Sequence, residues 1–89
     1  MLKISRREGL NNEVVLKIEG SLAGAWVEEV RVVCDAFLND DRRIALDLRG
    51  LTYVDLAGRE LLGSLRADGR VVISTASSFV LELLKGGAA

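Results

Sequence analysis

Residues 43–62 read RIALDLRGLTYVDLAGRELL. Residues 43–48 form an apolar, β-favouring run, and residues 52–54 extend toward an acid, Asp55. The small pair Ala57 and Gly58 comes next. Leu61, Leu62 and Leu65 then recur at helical spacing. This is a strand that turns into a helix at Asp55. The carboxylate suits a helix N-cap: it accepts backbone N–H groups of the first turn, and its charge matches the positive helix end. Ala57 and Gly58 are small enough for the helix start to approach a neighbour closely. A helix is expected over residues 56–65, with Gly69 as punctuation before the next strand. The turn lies beyond the carboxyl end of a strand, where open α/β sheets dock ligands and partners.

Upstream, residues 2–8 alternate imperfectly, with Leu2 and Ile4 on one face. Residues 13–19, EVVLKIE, alternate more firmly through Val14, Leu16 and Ile18. Between them GLNN (9–12) suits a turn, because Gly and Asn tolerate positive φ, and the two strands read as a hairpin. Residues 22–38, LAGAWVEEVRVVCDAFL, carry a helical stripe of Leu22, Trp26, Val30, Val33 and Phe37, widened by Val27 and Cys34. Ser21 is the expected N-cap. Residues 70–75, RVVIST, read as a strand with both faces covered. Ser77 caps a last helix, SFVLELL, which Gly86 and Gly87 stop. The order β-β-α-β-α-β-α implies a small mixed α/β sheet of four strands with helices against it. Its crossovers should be right-handed. Residues 1–89 form one domain, with a core over about 2–85 and a frayed tail at 86–89.

The chain holds 12 Lys and Arg against 13 Asp and Glu, a net charge of −1. The charges are scattered, so no basic stripe is present for nucleic acid. No apolar run approaches the roughly 20 residues a bilayer crossing needs, and the start lacks a secretory apolar core. A cytoplasmic protein without membrane insertion is expected, in keeping with the single Cys34. There is no His. Zinc-type ligand sets and nucleophiles paired with an imidazole base are therefore excluded, and no metal or cofactor is expected. Carboxylate chemistry by Asp55, Glu60 and Asp47 is the only enzymatic option left. The chain is not expected to be an enzyme.

The segment LDLRGLTYVDLAGRELL, with the upstream LKIEGSLAGAWVEEV, resembles the STAS domain family of anti-sigma factor antagonists over about residues 2–85. The family's Asp-Ser-Ser-Gly step reads Asp55, Leu56, Ala57, Gly58 here. In antagonists of the family, a partner anti-sigma kinase phosphorylates the second Ser, and the added charge breaks the complex. That position is Ala57, which offers no oxygen. Thr52 and Ser64 lie nearby, but neither occupies the helix start. The resemblance implies a regulatory module that binds another protein, anti-sigma factor or kinase-like, through Asp55, Leu56, Ala57, Gly58 and Arg59. Without the serine switch, binding would be constitutive or controlled by the partner. It also allows two alternatives: a STAS subunit of a transporter assembly, or a small-molecule or nucleotide sensor. Many STAS domains continue into a further strand and helix, so the short form is expected to find a covering partner or to self-associate as a homodimer.

Other features have plainer readings. Trp26 is expected at the core edge, with partner anchoring as its alternative. Helix SFVLELL is apolar nearly all round, with Phe79 and Leu83 at one edge, Val80 and Leu84 in the middle and Leu81 on the other side. In a monomer part of it is therefore expected to be exposed. Phe79 and Leu81 with Trp26 are the candidate interaction patch, and a broad buried face is the alternative. Cys34 reads as core. Arg6, Arg7 and the run DDRR (40–43) read as solvated charges guarding sheet edges. GSLAG (20–24) lacks both G-x-G-x-x-G spacing and a preceding parallel strand, so it reads as a strand-to-helix turn and not a phosphate cradle.

Overall fold

A computed structural model describes residues 1–86. In chain order the elements are β1 (Leu2–Glu8), β2 (Glu13–Leu22), α1 (Ala25–Asn39), β3 (Arg43–Leu48), β4 (Leu51–Val54), α2 (Leu56–Ala67), β5 (Val71–Ala76) and α3 (Ser78–Gly86). Of the tail expected to fray at 86–89, Gly86 is the last residue of α3, and 87–89 lie outside the described residues.

β1 and β2 form the expected antiparallel hairpin, pairing Leu2 with Gly20 through Glu8 with Val14. Its turn is carried by Asn11 and Asn12, at φ 57° and 65°, the left-handed region that Asn tolerates better than most residues. β3 runs parallel to β2 over Glu13–Lys17, and β5 runs parallel to β3. The sheet order is β1-β2-β3-β5, with β4 also paired to β2. The sheet has five strands where four were expected, because residues 51–54 pair with Gly20–Leu22 as a strand of their own. β3 and β4 thus occupy the same side of β2 in succession. Between them, the Asp47 carboxylate accepts from the Arg49 backbone N–H at 3.2 Å and from its guanidinium at 3.1 and 3.2 Å.

Two sequence expectations change here. The first helix begins at Ala25, not Leu22, and Gly24 is its N-cap in place of Ser21. Ser21 and Leu22 continue β2, because pairing with Tyr53 and Val54 of β4 gives their backbone a ladder to join. Leu22 is fully buried as a strand residue. β2 is also parallel to two neighbours, so the part of GSLAG through Leu22 is strand, and the turn shrinks to Ala23 and Gly24.

One core lies between the helices and one sheet face. Val14, Leu16 and Ile18 of β2 and Ile44, Leu46 and Leu48 of β3 meet Val30 and Cys34 of α1, Leu61, Leu62 and Leu65 of α2, and Val80 and Leu84 of α3. Each fully buried Leu or Ile among them contributes about 1.5–3 kcal/mol relative to exposure. The opposite face is open. Val72 of β5 is 47% exposed, so the expectation that β5 is covered on both sides fails. Its apolar run reflects β propensity at an edge strand. Ser74 sits at a register shift, where its hydroxyl donates to the Leu46 carbonyl at 3.0 Å.

Arg6 and Arg42 each lie 5.7 Å from the Phe37 ring centroid, within the range of cation–π attraction. Arg42 also donates to Glu8 Oε1 at 2.6 Å and to the Asn12 carbonyl at 3.1 Å. Arg42, expected to be a solvated charge, is instead half-buried and fastens the hairpin to the end of α1, while Arg6 stays exposed as expected. Cys34 is buried as expected. Burial, with the Asp35 charge adding, pushes its thiol up to about 11.

Candidate functional site

Asp55 sits between β4 and α2 and caps the helix as expected. Its Oδ1 accepts from the Gly58 backbone N–H at 2.7 Å. Its Oδ2 accepts from the Gly24 backbone N–H at 3.0 Å. One carboxylate thus joins the starts of two helices, α1 and α2. Its own N–H donates to the Leu22 carbonyl at 3.2 Å, and its carbonyl accepts from Arg59 N at 2.9 Å. The N–H groups of Gly24 and then Gly58 hold the Asp55 carboxyl below the usual carboxylate range, because both favour the charged form.

The two glycines at this corner have separate physical reasons. Gly24 adopts φ 58° and ψ −134°, a conformation that disfavours a side chain. Gly58 is buried, and a Cβ there would overlap the Leu22 carbonyl oxygen and stand 3.0 Å from both Leu22 Cγ and Val54 Cγ1. The absence of a side chain lets α2 seat directly on the ends of β2 and β4. The Gly58 contact was legible as a small residue in the first turn of a helix. The Gly24 donor was not, since nothing local to residue 24 marks a partner 31 positions away.

The expected site residues therefore divide. Asp55 and Gly58 build the corner, while Leu56 and Ala57 project from it, Leu56 at 63% exposure. Arg59 is half-buried at the next turn. Tyr53, two residues before Asp55, is 56% exposed. Trp26, two residues after Gly24, is 41% exposed. Phe79 and Leu81 are the exposed part of α3, while Val80 between them is buried. Trp26 belongs to α1 and these two to α3, and each helix packs on α2. The last helix is capped as expected: Ser77 Oγ accepts from Val80 N at 3.3 Å.

Ala57 occupies the first turn of α2 with its methyl group in solvent. The Thr52 hydroxyl donates to the Gly20 carbonyl at 3.2 Å, and Ser64 is exposed further along α2. Asp47 of β3 is engaged by Arg49. Among the described residues, no three acidic or Cys side chains gather as a metal site, and no helix is long and apolar enough to cross a membrane.

Residues 5–86 match the family model described as Mlab, STAS domain. Among solved structures, the anti-sigma factor antagonist SpoIIAA in its unphosphorylated form superposes with a TM-score of 0.74 at 20% identity. The match covers 97% of this chain and 81% of that one. No curated protein matches the chain as a relative by sequence.

Proposed function

Since the chain belongs to the STAS domain family, we propose that it is a regulatory protein–protein interaction module, resembling an anti-sigma factor antagonist in its mode of action. It docks another protein on the corner around Leu56 and Ala57. One observation carries this reading: both Asp55 oxygens are taken up by backbone N–H groups of two helices. The acid is a brace, and it presents exposed apolar side chains instead of reactive ones. Leu56, with Tyr53 and Trp26 on the segments that lead to and from the brace, supplies the apolar and aromatic character that partner anchors use. The mechanism is docking without chemistry. With Ala57 in place of the family's phosphoserine, addition of phosphate at that position cannot dissolve the complex. Control passes to the partner or to its supply.

Site-specific photo-crosslinking in cells tests the proposal. A photoreactive residue at position 57 should yield a discrete adduct with another protein. The same residue at position 72, on the open sheet face, should not. Equal labelling from position 72, or none from 57, would place docking elsewhere. The same face would serve a STAS subunit of a transporter assembly, and the identity of the adduct separates that role from an anti-sigma partner.

A further inference from the structure

α2 and α3 leave a groove of about 490 Å³ between them, lined by Leu56, Arg59, Glu60, Gly63, Arg66 and Ala67 of α2 and by Leu83 and Leu84 of α3. The α2 residues fall at positions 56, 59/60, 63 and 66/67, a seven-residue repeat that keeps them on one helix face. The face is centred on Gly63, where an added Cβ would meet nothing within 4 Å. Glu60 lies three residues before Gly63 and Arg66 three residues after. Among the described residues, neither forms an ion pair or a side-chain hydrogen bond.

That arrangement is self-complementary. If a second copy of α2 crosses antiparallel with the two-fold axis at Gly63, each residue three before the axis faces one three after it. Glu60 of each copy then meets Arg66 of the other, each about 4.5 Å along the helix from the axis. Arg59 faces the small Ala67 and meets no like charge. Gly63 against Gly63 lets the backbones approach closely, since interaxial distance follows side-chain size at the crossing. Leu56 and Leu83 flank the seam with apolar surface. The contact is isologous, so it closes at two copies and does not propagate.

We infer that the α2–α3 groove is a homodimer interface, occupied by α2 of a second copy and set in register by paired Glu60 and Arg66 side chains about Gly63. Leu56 also belongs to the docking corner, so the dimer withholds it from another protein. That consequence rests on the docking reading, whereas the dimer itself does not.

Sedimentation equilibrium of the full chain over a concentration series is the test. The wild type should reach the mass of two chains. Gly63→Arg should stay monomeric at every concentration while keeping the wild-type circular dichroism, because its site is open, and its melting temperature should lose the concentration dependence that association gives the wild type. Glu60→Arg and Arg66→Glu should each weaken association by about ten-fold, since each breaks two symmetry-related pairs and sets like charges together. The double reversal should recover most of the loss. A wild type that remains monomeric throughout would overturn the inference. So would single reversals without effect, or a double reversal no tighter than the singles.

Discussion

At Asp55, the residue that resemblance marks as functional is also the one holding two helix starts together. Its carboxyl titrates below the ordinary value of about 4, so near that pH the unfolded chain binds more protons than the folded one. The stability it contributes is complete above about pH 4 and is lost as pH falls through the lowered folded value. Asp55→Asn, with one acceptor oxygen where two are needed, should lower the melting temperature at neutral pH. It should also shallow the acid limb of a stability–pH curve, and an unchanged limb would contradict the bridging role. Gly58→Ala should cost about 1–3 kcal/mol in urea unfolding, because its methyl group meets backbone as well as side chain. The capping role of Asp55 was visible in the sequence, since Asp before a helical pattern is a local signal. Its second role was not, because hydrogen bonding to Gly24 depends on how β2 and β4 bring distant turns together.

Among the elements, those with long, regular patterns were the readable ones. The hairpin, the strand at 43–48 and the helix after Asp55 came from alternation or helical period. The start of α1 is set three residues later than the periodicity suggests, because Leu22 fits a helical stripe as well as a strand. Only pairing with β4 decides between them. β4 itself, four residues long, has too little pattern to announce a strand. The first turn of α2 carries a further prediction. Incubated with an anti-sigma-type kinase and ATP, the wild type should show no added phosphate by intact mass. Ala57→Ser should accept one if the corner still presents to such a kinase. A phosphate on the wild type would mean that another hydroxyl, such as Thr52 or Ser64, serves instead. The exchange sits in solvent and should change stability by no more than about 0.5 kcal/mol.

Over the whole molecule, the sheet divides the chain into a packed side and an open side. Leu46→Ala, on the packed side, should cost about 2–5 kcal/mol. Val72→Thr, on the open side, should stay within about 0.5 kcal/mol in the same urea titration. Similar values at the two positions would mean that the open face is covered in solution. The apolar composition of β5 could not reveal this, because a valine favoured by extended backbone looks the same in sequence as one favoured by burial. The sealed thiol of Cys34 supplies a gauge that needs no engineering. A neutral sulfhydryl at the centre of the packing reacts with an alkylating reagent only when the chain opens. The rate of adduct formation under native conditions therefore clocks how often, and at what free-energy cost, this small protein comes apart.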